Sequence, residues 1–148
     1  MNIASFLIPK SDVACLYEDF TLRQALEKIH HHGYSAIPVL TNENKYVCTI
    51  SEGDFLWYLI EHQCDELHKV SMKSIENMSI KDVIRVDKNP PVRITSTIEE
   101  LLTKSINQNF IPVIDDRDYF IGIITRKDII IHFYNNFYPT DLSKQNNE

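Results

Sequence analysis

Two short stretches carry the residues most able to do chemistry. "TISEGD" ends on Asp54 with Ser51 three residues before it, and "IITRKD" ends on Asp128 with Thr125 three residues before it. Each lies where a short apolar run gives way to a helical pattern. A hydroxyl there caps the helix, and a carboxylate in the first turn sits at the positive end of the helix dipole. Such a carboxylate can accept from two vicinal hydroxyls, while the free N–H groups of the helix start favour an anion nearby. Arg126 and Lys127 add two cations to the second turn; Glu52 adds a negative charge to the first.

The elements that position these turns occur twice. "AIPVLTNENKYVCTISEGDFLWYLI" aligns with "FIPVIDDRDYFIGIITRKDIIIHFY" without a gap. Pro38 and Pro112, Ser51 and Thr125, and Asp54 and Asp128 are each 74 residues apart (112−38, 125−51, 128−54). A fixed period of this kind sets the architecture. Upstream of each copy a threonine precedes an amphipathic stripe: Thr21 before Leu22, Ala25, Leu26 and Ile29, and Thr97 before Ile98, Leu101, Leu102 and Ile106. Both read as capped helices. The runs Ala36–Leu40 and Phe110–Ile114 read as buried strands whose prolines mark an edge or an interrupted ladder. Second strands follow at Tyr46–Ile50 and Phe120–Ile124. The order strand, helix, strand, strand, helix predicts an α+β fold of two packed repeats, since one copy alone would bury too little surface. The expected divisions are 1–62 for the first repeat, 63–89 for a linker that packs, with Ser79 capping a short turn, 90–138 for the second repeat, and 139–148 for a frayed tail.

Composition narrows the classes. The 148 residues are 43% hydrophobic with a formal charge of −6, which argues against a general nucleic-acid binder. Cys15, Cys48 and Cys64 form no C-x-x-C pair, so neither a zinc knuckle nor a disulfide framework is expected. His30, His31 and His32 are consecutive on a helix and point about 100° apart, a poor chelate, so no metal is expected. No apolar run approaches the roughly 20 residues of a membrane span, and the opening lacks a basic n-region, which predicts a cytoplasmic protein without membrane contact. No catalytic constellation emerges.

With the repeat, "GYSAIPV" (33–39), "NFIPV" (109–113), "GIITRKD" (122–128) and "CTISEGD" (48–54) resemble the CBS-domain pair, or Bateman module, over nearly the whole chain. The resemblance implies a regulatory module that binds adenine nucleotides between repeats, the [TS]-x-x-D turn of one facing the opening strand and proline strand of the other. It implies that Asp accepts from ribose hydroxyls, that Thr or Ser and nearby cations face phosphate, and that backbone beside the proline reads adenine. By that crossing, cleft one combines Ala14, Tyr34, Ser35, Ala36, Ile37 and Pro38 with Thr125, Arg126, Lys127 and Asp128. Cleft two combines Val92, Asn109, Phe110, Ile111 and Pro112 with Ser51, Glu52 and Asp54. Cleft one is the expected main site, because it offers two cations and an aromatic ring. Cleft two offers Glu52 and lacks a counterpart of Gly33–Tyr34.

The resemblance extends to small stand-alone bacterial proteins of the family that bind cyclic di-AMP; AMP, ADP and ATP are the alternative ligands. The expected function is a nucleotide sensor that modulates an unknown effector protein, with no cofactor beyond that ligand. A ligand-free scaffold and, more remotely, a nucleotide-hydrolysing enzyme are the rivals. The runs Phe55–Ile60 and Ile129–Phe133 are expected to form a homodimer interface, with Phe55 in it.

Overall fold

The structure is a computed structural model that describes residues 2–62, 75–85 and 88–138. The expected tail and residues 63–74 and 86–87 of the expected linker lie outside the described residues. In chain order the elements are β1 (Ile8–Pro9), β2 (Leu16–Tyr17), α1 (Leu22–His32), β3 (Ala36–Leu40), β4 (Tyr46–Ser51) and α2 (Glu52–His62). The second half supplies β5 (Val92–Arg93), α3 (Ile98–Ser105), β6 (Phe110–Ile114), β7 (Phe120–Thr125) and α4 (Arg126–Phe137). The fold is α+β, and each half runs strand, helix, strand, strand, helix. Among the described residues, no helix is long and apolar enough to cross a membrane.

Local chemistry explains the helix boundaries. Thr21 Oγ1 accepts from Gln24 N–H, and the Gln24 side chain accepts in return from Thr21 N–H, so two free donors of the first turn are satisfied. At the other end Gly33 takes the left-handed conformation (φ 67°) that stops α1. Thr97 and Thr125 cap α3 and α4 in the same manner. Helix α3 ends at Ser105, so Ile106, expected on the buried stripe, is 75% exposed instead.

The sheets are ordered β2-β3-β4 and β1-β7-β6-β5. Both hairpins, β3–β4 and β6–β7, carry a register shift at matching places, after Val39 and after Val113. Neither proline sits on an edge strand. Pro38 pairs with Thr49 in β4, whereas β2 joins β3 only from Val39 onward, so the ladder is interrupted on the proline's other side.

Each half completes its core with a segment lying ahead of the other half. Ile3 and Phe6 pack with Val92, Leu101, Ile111 and Ile124 of the second half. Conversely, Ile75, Ile80 and Val83 pack with Leu22, Ile37, Ile50 and Phe55 of the first. Ser79 does cap a short 3₁₀ turn there, its hydroxyl accepting from Lys81 N–H. A third cluster joins the halves: Cys15 and Leu40 against Phe120.

The core also corrects the expected interface. Phe55 is 2% exposed and belongs to the first core, and Ile129 is buried in the second, because both face their own sheet. The outward residues of α2 and α4 are instead Leu56, Trp57, Ile130, Ile131 and Tyr134.

Strand β1 explains why Gly122 stands where the first repeat has Cys48. Pro9 pairs with Gly122, and a Cβ on that residue would lie 2.1 Å from the Ile8 carbonyl oxygen, with φ at 156°. Among the described residues no added strand covers β4, and Cys48 is accommodated and buried there. Replacing Gly122 with alanine must therefore displace β1, a loss of about 1–3 kcal/mol in urea denaturation. Unchanged stability would show that β1 does not hold this register.

Candidate functional site

A cavity of about 300 Å³ opens between the halves where the ladder beside Pro38 is interrupted. The first half contributes Val13, Ala14, Tyr34, Ala36 and Pro38; the second contributes Asn109, Phe110, Ile123 and Thr125. The lining is mostly apolar with a few polar groups at its rim, as small-molecule sites usually are. Of the expected cleft-one residues, Ala14, Tyr34, Ala36, Pro38 and Thr125 come together here. Ile37 points into the first core. Ser35 lies in the second cleft's lining. Tyr34 is exposed, with the His32 ring stacked against it at 5.4 Å and 15°.

Thr125 fixes the start of α4. Its hydroxyl accepts from Asp128 N–H at 3.2 Å, which places Asp128 one helical turn on from the cavity wall; neither Asp128 nor Lys127 lines the cavity itself. Among the described residues the Asp128 carboxylate has no hydrogen-bond or ion-pair partner. Lys127 is exposed at the same helix start. Arg126 departs from expectation. Its Nε donates to the Ser105 carbonyl at 2.7 Å, and its guanidinium also reaches the Ile106 carbonyl at 3.4 Å. The last carbonyls of a helix need donors, and the early end of α3 draws the guanidinium there, away from the cavity. Arg126 N–H donates to the Asn109 carbonyl at 2.8 Å, which ties the loop before β6 to the same turn.

The second cleft, about 400 Å³, is lined by Ser35, Ser51, Glu52, Gly53, Asn107, Asn109 and Phe110, with Lys88 and Gln108. Phe110 therefore walls both cavities. Val92, Ile111 and Pro112 are buried and line neither. Here the hydroxyl–carboxylate pair is already engaged. Asp54 Oδ2 accepts from Ser51 N–H at 2.8 Å and from Ser51 Oγ at 3.0 Å, and it forms an ion pair with Lys88. Lys88 Nζ also donates to Ser51 Oγ at 3.0 Å. The adjacent Asn89 carbonyl accepts from the Tyr46 hydroxyl at 2.7 Å, which anchors this segment across the cleft. Sequence reading missed Lys88. It lies in no recognisable motif, and only the three-dimensional crossing brings it to Asp54.

A model of the CBS domain matches the chain twice, over residues 4–61 and 78–135, and the chain belongs to that family. Cyclic di-AMP receptor B of Bacillus subtilis is 25% identical over 129 residues, covering 87% of this chain and 84% of that protein. Inosine-5'-monophosphate dehydrogenase of Methanocaldococcus jannaschii is 27% identical over 119 residues, 80% of this chain but 21% of that enzyme. Among solved structures, CbpB in complex with c-di-AMP aligns with TM-score 0.81 and 28% identity, over 98% of this chain and 91% of that one. CbpB of Listeria monocytogenes, also in complex with c-di-AMP, aligns at 0.75 and 25%, over 93% and 98%.

The engaged pair makes a pH prediction. Burial alone would raise the Asp54 carboxyl, but the Lys88 ammonium and the Ser51 N–H outweigh it and hold it below the ordinary carboxylate value. A carboxyl depressed in the folded state contributes stability that is present above its unfolded value, about 3.9, and is lost as pH falls through the folded value. The stability gap between the parent and Asp54→Asn should thus stay level from pH 7 to about 5 and close below about 4. A gap that persists unchanged into strong acid would mean that the ion pair contributes nothing.

Proposed function

We propose that the cavity between the halves binds an adenine nucleotide, with cyclic di-AMP as the first choice and AMP, ADP or ATP as alternatives. In this reading the protein is a regulatory sensor, not an enzyme, acting in the cytoplasm on a separate effector protein. The observation that carries it is a mostly apolar cavity that both halves build, with Thr125 at the start of α4 in its wall and the unpartnered Asp128 carboxylate three residues further on. The two c-di-AMP complexes of CbpB and the B. subtilis receptor support the choice of ligand.

The proposed roles follow from placement. Asp128 accepts from vicinal ribose hydroxyls, and Lys127 with the α4 N-terminus faces phosphate. Pro38 leaves backbone beside it free to pair with a base edge, while Phe110 and Tyr34 offer ring surface. Arg126 is a positioning residue that holds the α3–β6 loop against the cavity. At about 100 times its dissociation constant, an adenine ligand should stabilise the fold by ~2.7 kcal/mol, read as a rise of several degrees in Tm. Guanine nucleotides should do markedly less, and Asp128→Ala should remove most of the rise. A flat panel at millimolar ligand would contradict the reading.

The outward residues Leu56, Trp57, Ile130, Ile131 and Tyr134 extend along one helical face in each half. An isologous homodimer is the simplest closed assembly that covers them. Light scattering at micromolar concentration should return twice the 17.3 kDa chain mass, and Trp57→Asp should return the chain mass itself. A parent protein that is monomeric at that concentration would leave these faces to a different partner.

A further inference from the structure

The two clefts differ by an exchange of charge that the chain makes within itself. Strands β2 and β5 occupy equivalent places: Leu16 pairs with Val39, and Val92 with Val113. Four residues before Leu16 is Asp12, and four before Val92 is Lys88. Each lines the cleft on its own side. Across from them the turns differ too: Glu52 lines the second cleft, whereas at the start of α4 Lys127 is exposed and the Arg126 guanidinium is turned to the α3 carbonyls. The second cleft thus pairs a basic lead-in with an acidic turn, whereas the lead-in that lines the first is acidic.

We propose that Lys88 is a tethered occupant of the second cleft, its ammonium holding the Ser51–Asp54 pair that a ribose would otherwise engage. This rests on the nucleotide reading of the first cleft only for the role given to the carboxylate. The contacts are those of a filled site. Lys88 donates to Ser51 Oγ at 3.0 Å and pairs with Asp54, whose Oδ2 already takes two bonds from Ser51. In the other half the matching carboxylate, Asp128, has none of these partners among the described residues. The backbone beside Lys88 is anchored, because the next residue's carbonyl is bound by the Tyr46 hydroxyl, itself bonded to Thr49 at 2.8 Å. Phe120 and Ile123 stand where the first repeat has Tyr46 and Thr49, so this anchor exists in one half alone. About 400 Å³ of the cleft remains open beside the lysine, which leaves room for a nucleoside.

The device sets which ligands the second cleft rejects. With Lys88 in place, Asp54 Oδ2 is taken by Ser51 and the ammonium, so the carboxylate cannot offer both oxygens to the vicinal hydroxyls of a ribose. With Lys88 removed, Asp54 becomes available, but Glu52 still opposes phosphate. The opened cleft should therefore take a phosphate-free nucleoside and still refuse a nucleotide.

Isothermal titration with adenosine and with AMP tests this on the parent, on Lys88→Met and on Lys88→Arg. The parent and Lys88→Arg should bind one adenosine and one AMP per chain. Lys88→Met should bind two adenosines and one AMP, with far-UV circular dichroism confirming that it is folded. The same second event should survive in Lys88→Met carrying Ala14→Leu, which fills the first cleft. Should Lys88→Met prove unfolded, Lys88→Gln, which keeps a polar group beside Asp54, takes its place. A folded Lys88→Met or Lys88→Gln that titrates like the parent overturns the proposal. A parent that binds neither ligand while Lys88→Met binds adenosine would sink the first-cleft reading and leave the tethered lysine standing.

Discussion

Phe120 N–H donates to the Asn44 carbonyl at 2.9 Å, and a bridge between Lys45 and Tyr119 lies beside it. These few backbone contacts at the hairpin tips join two sheets that each carry only half of a site. They work because the same turn is built twice: Asn44 and Asp118 both adopt positive φ, 65° and 68°, so the two tips share one conformation. The ring of Tyr46 stacks near that of Phe120, at 6.2 Å and 24°, and Cys15 and Leu40 close against Phe120. Burial pushes the Cys15 and Cys48 thiols up to about 11, so both are packing residues and not nucleophiles near neutral pH.

The second tie is the reciprocal exchange of lead-in segments. Ile3 and Phe6 fill the second core and β1 extends the second sheet, while Ile75, Ile80 and Val83 fill the first core. Neither half is closed without residues that precede the other. Met78 and Phe20 are joined by the same exchange, since Leu22 N–H donates to the Met78 carbonyl and Ile80 N–H to that of Phe20. A cavity placed between halves tied in this way has walls of fixed separation, which is the preorganisation a small ligand needs.

Much of this was legible in the sequence because the repeat doubles every weak signal. Thr21, Thr97 and Thr125 are caps as their spacing predicts, and Ala14, Tyr34, Ala36, Pro38 and Thr125 meet at one cavity. What escaped was set by tertiary contacts that no local pattern encodes. The direction of Arg126 depends on where α3 stops. The burial of Phe55 depends on which face of α2 meets its sheet, since Phe55, Leu56 and Trp57 are all apolar. Lys88 is one charge in a segment without periodicity, and its partner Asp54 lies 34 residues earlier. Gly122 is the reverse case: its difference from Cys48 was visible, but the reason, a strand arriving from the N-terminus, was not.

The central claim is that two related carboxylates have diverged, Asp128 left open for a ligand and Asp54 held by Lys88. Carboxyl-carbon NMR of the two side chains during titration with AMP reads both at once. The Asp128 resonance should move saturably while that of Asp54 stays in place. Movement at Asp54 with none at Asp128 would contradict the account.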